Sequence, residues 1–239
     1  MQQQERQHIV FLCGLLCDET VWQSVASQLQ DDFDCSICSF AGFTSLVDMA
    51  RSVNAEAPTN FILVGHSMGG RVALEIYREC PERINMLGLF NTGVHLPKEG
   101  EAAGRQKLLD IAYKKGMAAV AEAWLPPMMA QRSLQNQKLM HSLRNMVTRY
   151  SAEQFHAQIH ALLQRPEVES LLSKIKAPTL LVSAGEDSWS PVEQHKTMFK
   201  SIEGAELAVI QGAGHMAPIE CPEAVAVIIR EFVARHASG

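Results

Sequence analysis

The chain has 239 residues, 47% of them hydrophobic and 20% charged, with a formal net charge of −5. That is enough apolar material for one sizeable core and too little concentrated charge for a disordered chain. An acidic balance also argues against a nucleic-acid or anionic-membrane surface, since both demand a basic patch. The polar start, Met1 to His8, and the short apolar run behind it lack the positive start, long apolar core and cleavage site of a signal peptide. No stretch reaches the roughly 18 apolar residues of a membrane span, and the cytoplasm is the expected location.

Taken in chain order, short apolar runs alternate with helical patterns, the rhythm of a mostly parallel sheet flanked by helices. Residues 8–13 read as a strand bounded by Gly14, and 19–29 as a helix with Val21, Trp22, Val25, Ala26 and Leu29 on one face. Residues 34–40 form a second strand carrying Cys35 and Cys38. Their spacing suits a metal, but no second pair completes four ligands, so buried structural thiols are expected instead. A helix follows at 46–55, then a strand at 60–65 that is apolar without alternation, as a strand covered on both faces should be. Residues 67–78 are helical and 84–90 form a fourth strand.

Between Leu96 and Lys176 the rhythm breaks into helices at about 101–115, 117–124, 133–149 and 152–163. An insertion of this kind, at about 96–176, reads as a helical cap on one α/β domain spanning 1–239, between core segments 8–95 and 177–239. Strands resume at 178–183 and 206–210, and the last helix, 222–235, opens on Pro222, which a first helical turn tolerates.

Gly65-His66-Ser67-Met68-Gly69-Gly70 lies between the apolar strand 60–65 and a helix. That context makes GxSxG a nucleophile elbow: the turn is tight enough to strain the serine, and it projects Oγ from the end of the sheet. A side chain two residues before or after the serine would clash, and Gly65 and Gly69 meet that demand. A serine hydroxyl needs a base to take its proton. Of nine histidines, His215 lies in the small-residue loop Gly212-Ala213-Gly214-His215-Met216-Ala217-Pro218 after the last strand. Loops at that end of a parallel sheet converge on the ligand crevice. His66 is expected to pack or bond locally. His95, His141, His156, His160 and His195 read as solvent or cap residues.

Asp187, in the loop after strand 178–183, is placed to hold the imidazole in one tautomer and stabilise its charge, and Glu186 beside it competes for that role. The order Ser67, Asp187, His215 is the one expected for an elbow on this sheet. An oxyanion hole would use the N–H of Met68 and an N–H after the first strand, from Leu15 or, failing that, Leu16.

With these motifs the chain resembles the α/β-hydrolase superfamily, in its compact carboxylesterase and methylesterase branch with a helical cap. The resemblance implies an α/β-hydrolase fold with Ser67, His215 and Asp187 as catalytic triad and the amides of Leu15 and Met68 as oxyanion donors, with no cofactor and no metal. Two departures stand out. Cys13-Gly14 occupies the turn where the family often has His-Gly, and Ala184 lies where a glycine usually precedes the acid by three residues. A sheet starting near His8 would also lack the first antiparallel strands of larger members.

The function expected is hydrolysis of a small carboxylic ester through an acyl-enzyme. Lactone, thioester and carbon–carbon bond hydrolysis are alternatives on the same triad, and a ligand receptor with vestigial activity is an alternative of another class. Leu15, Leu16, Trp124, Met128, Met129 and Trp189 are the apolar pocket candidates, and no charged selector for the substrate stands out. The oligomeric state is left open.

Overall fold

The computed structural model describes residues 6–237. Six strands, β1 (His8–Leu12), β2 (Asp34–Cys38), β3 (Phe61–His66), β4 (Ile84–Phe90), β5 (Thr179–Ala184) and β6 (Glu206–Ile210), form one sheet in the order β2-β1-β3-β4-β5-β6. Every pair is parallel, with Leu12 opposite both Cys38 and Gly65, and His66 opposite Phe90. All six residues of β3 are buried, which is why its sequence shows no polar alternation. The edge strand β2 is half-exposed, so Cys35 and Cys38 are only partly buried, unlike Cys13, Cys17, Cys80 and Cys221.

The helices follow from the strand order. The path from β1 to β2 runs one way across the sheet and every later step runs the other. Right-handed crossovers therefore put α1 (Gln23–Leu29) on one face and α2 (Leu46–Glu56), α3 (Met68–Glu79) and α8 (Val192–Ser201) on the other. The last helix, α10 (Pro222–His236), returns to pack on α1. Between β4 and β5 the chain forms α4 (Glu101–Lys115), α5 (Met117–Trp124), α6 (Gln137–Thr148) and α7 (Ala152–Leu163), which pack chiefly on one another and contain no strand. A one-turn helix, α9 (Ala217–Glu220), precedes α10. No helix among the described residues is long and apolar enough to cross a membrane.

Two of the expected helices are shorter than their patterns. Residues 19–29 divide into a 3₁₀ turn, Glu19–Val21, and α1, because Asp18 caps the turn through Thr20 N–H. The break comes at Trp22, which is fully buried against Phe11 and Phe90 and donates its indole N–H to Leu12 O at 3.1 Å. Residues 133–149 divide likewise, because Asn136 turns extended and its side chain accepts from Leu139 N–H to start α6.

The strand order reverses direction between β1 and β3, the point at which open parallel sheets leave a crevice beyond their C-terminal ends. The turns after β1 and β3 flank that crevice, and those after β4, β5 and β6 complete its wall.

Candidate active site

Ser67 sits at the end of β3 with φ 55° and ψ −115°, in the left-handed region that non-glycine residues avoid. Strain of this kind costs about 1–3 kcal/mol and persists only where the surroundings over-determine it. Here they do. Ser67 N–H donates to Phe90 O at 2.9 Å, and its carbonyl accepts from the Thr92 hydroxyl at 2.7 Å and from Gly70 N–H at 3.0 Å. A Cβ on Gly65 would stand 2.4 Å from Gly69 O, and one on Gly69 would stand 2.4 Å from Leu12 O. The turn closes only because both residues lack side chains.

His215 Nε2 lies 2.9 Å from Ser67 Oγ, and its Nδ1 lies 2.9 Å from Asp187 Oδ2. An ionised Asp187 can only accept, so Nδ1 carries the proton and Nε2 presents its lone pair to the serine hydroxyl. Asp187 is almost fully buried, which alone would raise its pKa. The His215 ring and hydrogen bonds from Ser190 N–H and the Asn91 amide outweigh that and hold it well below the usual carboxylate range. Its second oxygen accepts from Trp189 N–H and Ser190 N–H at 2.8 and 2.9 Å. Glu186 points elsewhere: its carboxylate accepts from Gln131 N–H at 2.9 Å in the helical segment.

The turn after β1 abuts the serine, with Ser67 Cβ at 3.2 Å from where a Gly14 side chain would begin. The Leu15 amide has no acceptor among the described residues. Met68 opens α3, where a helix leaves its N–H groups unpaired. Leu16 cannot serve as a donor, because its N–H is taken by Gln158 Oε1 at 2.9 Å.

A cavity of about 540 Å³ opens over Ser67 and His215, and of the apolar pocket candidates Leu15, Trp124, Met128 and Trp189 line it. Leu16 and Met129 are buried and do not. Leu16 has φ 55°, and that turn together with the Gln158 bond directs its side chain into the core. Charge is also present where no charged selector was expected: Arg71, Arg105 and Arg165 line the same cavity.

Several supporting residues escaped the sequence reading. Asn91, with φ 45° at the end of β4, donates its amide to Asp187 Oδ2 at 2.9 Å. Its position beyond the next strand of the sheet was the available signal. His66 does not bond locally; its Nε2 donates to His215 O at 2.7 Å and so braces the loop that carries His215. Burial and then the neighbouring His215 push its pKa from 6.5 down to about 3, so it is neutral. His195 is fully buried rather than solvent-facing, and its Nε2 accepts from Thr92 N–H at 3.2 Å. Glu220 clamps the same loop, accepting from Gly214 N–H at 3.0 Å and Ala130 N–H at 2.9 Å. His215 N–H donates to Met128 O at 2.7 Å. His215 is therefore positioned partly by the helical segment between β4 and β5.

Residues 9–228 match the family model described as the alpha/beta hydrolase family. A 2-hydroxy-6-oxononadienedioate/2-hydroxy-6-oxononatrienedioate hydrolase of Burkholderia vietnamiensis is 30% identical over 72% of this chain and 62% of its own length. A pimeloyl-(acyl-carrier protein) methyl ester esterase of Neisseria meningitidis is 25% identical over 77% of this chain and 73% of its own. The chain spans about three fifths of the length of the first curated relatives it matches. Among solved structures, a thermophilic esterase from Thermogutta terrifontis superposes with a TM-score of 0.86 at 24% identity, covering 96% of this chain and 90% of that one. That likeness is one of fold.

Proposed function

The chain belongs to the alpha/beta hydrolase family, and on that premise we propose that it is a serine hydrolase that cleaves a small carboxylic ester through an acyl-enzyme. The observation that carries this reading is the unbroken relay from Ser67 Oγ through His215 to Asp187, facing a cavity. In the first step His215 Nε2 takes the hydroxyl proton as Ser67 Oγ bonds to the acyl carbon. The tetrahedral oxyanion sits against the amides of Leu15 and Met68, each donor worth about 3 kcal/mol in the transition state. Collapse breaks the bond to the alcohol oxygen, which leaves with the proton from His215. Water then adds to the acyl carbon, gives its proton to His215, and the acid departs as Ser67 recovers the proton.

Residues 96–176 act in this reading as the cap that selects what reaches Ser67 and excludes water, which strengthens the polar interactions inside. The six free cysteines suit a reducing compartment, and we place the protein in the cytoplasm. Carbon–carbon bond hydrolysis on the same residues is the second reading, supported by the Burkholderia vietnamiensis relative.

The test is a panel of chromogenic esters of short to long acyl chains set beside a vinylogous 1,5-diketone. Ester turnover above about 1 s⁻¹ supports the leading reading by comparison with ordinary enzymes. Turnover of the diketone alone favours the second. Stoichiometric acylation without turnover points to a receptor instead.

A further inference from the structure

The cavity beside Ser67 holds more positive charge than ester hydrolysis requires. Arg71, Arg105 and Arg165 line it with one partly buried acid, Glu101, while the exposed Lys98 and Glu99 cancel in charge. Arg165 grips Glu101 with both ends of its guanidinium, Nη1 and Nη2 each 2.7 Å from a carboxylate oxygen. Arg105 bonds the same carboxylate through Nε at 3.0 Å. Burial would raise the pKa of Glu101, but these two arginines hold it at about 2. Its negative charge is thus fully engaged.

Arg71 is left without a carboxylate. It lies four residues after Ser67, in the first turn of α3, and lines the same cavity as the serine. Only 7% of it is exposed, and Nη2 donates to His95 O at 3.0 Å. Nη1 is buried in the cavity wall with no partner among the described residues. A buried charge is costly unless it is paired. Burial and the Arg165 guanidinium push the pKa of Arg71 down to about 9, so the group is still protonated at neutral pH but poorly compensated. His215, which also lines the cavity, has its Nδ1 bonded to Asp187 Oδ2 and supplies no partner for Arg71.

We propose that Arg71, seconded by Arg105, binds a substrate carboxylate, so that the favoured substrates are half-esters of dicarboxylic acids. Arg is suited to the task because its planar fork matches a carboxylate with two parallel hydrogen bonds. Because Arg71 and Ser67 line one cavity, a carboxylate held on Arg71 and the ester carbonyl at Ser67 Oγ can belong to a single short substrate. The inference rests on the hydrolase reading for the word ester, but the anion site stands on its own geometry.

Calorimetric titration with adipate and with neutral adipamide tests the site, and kcat/KM for monomethyl adipate against methyl hexanoate tests the substrate class. A charge-assisted pair predicts a preference of about 10- to 100-fold for the anion in both measurements. Arg71→Met removes both preferences, the kinetic one mainly through KM, and Arg71→Lys retains part. Equal affinity for adipate and adipamide, or a preference undiminished in Arg71→Met, overturns the proposal. Should Arg71→Met fail to fold, the wild-type preference and its reduction in Arg105→Met decide. Tight, anion-selective binding of adipate with no turnover of either ester supports the anion site and counts against the ester reading alone.

Discussion

The burial of His66 predicts an acid lability that can be worked out from its surroundings. The ring is wholly inaccessible, beside Trp22 and His215, with Nε2 donating to His215 O and Nδ1 unpartnered among the described residues. Burial first, and then repulsion from His215, lower its pKa from 6.5 to about 3. Between those values the unfolded chain binds a proton at this residue that the folded chain refuses. Its contribution is therefore fully present above about pH 6.5 and is lost as pH falls toward about 3. One proton corresponds to about 1.4 kcal/mol per pH unit, so near pH 5 the loss reaches about 2 kcal/mol. Urea unfolding at pH values from about 8 to about 5 measures it, with His66→Gln as the partner, since an amide N–H can still donate to His215 O but does not titrate. The variant should start less stable near pH 8 yet lose about 2 kcal/mol less over that span. Parallel pH dependences in the two proteins would refute the assignment of the acid lability to His66.

Asn91→Ala removes a hydrogen bond to Asp187 Oδ2; because that acceptor is charged, kcat should fall about 10- to 100-fold with little change in KM, measured by steady-state kinetics on any turned-over ester. Gly69→Ala places a methyl 2.4 Å from Leu12 O, and should cost about 1–3 kcal/mol by overpacking, seen as a lowered thermal midpoint. Gly104→Ala in α4 is the contrast, since its Cβ meets nothing within 4 Å; there a gain of up to about 1 kcal/mol is expected in the same assay.

What the amino-acid sequence made legible is what local chemistry decides. An apolar strand such as β3, a tight turn that demands Gly65 and Gly69, and the loops bearing Asp187 and His215 each declare themselves within a few residues. The helices α4, α5 and α7 were legible as well, and the structure gives them the expected bounds. Contacts made across the sheet were not. Asn91 reaches Asp187 over a sequence separation of 96, and His66 reaches His215 over 149. Nothing adjacent to either residue records the partner. Leu16 was misplaced because its N–H is claimed by Gln158 from α7, a bond that only the closed tertiary structure creates. The arginines were hidden in the same way. Arg71 and Arg105 read as ordinary helix residues and Arg165 as a residue just past α7, until the fold gathers them around Glu101 and the space above Ser67.

The account turns on Ser67 being the acylated nucleophile with His215 as its base. Treatment with a fluorophosphonate, followed by peptide mass spectrometry, tests this most directly, because only an activated serine reacts at an appreciable rate. A single adduct on the Ser67 hydroxyl is predicted, absent from Ser67→Ala and formed far more slowly in His215→Gln, with hydrolysis lost in both variants. An adduct on another residue, labelling of Ser67 undiminished in His215→Gln, or ester hydrolysis that survives Ser67→Ala would contradict it.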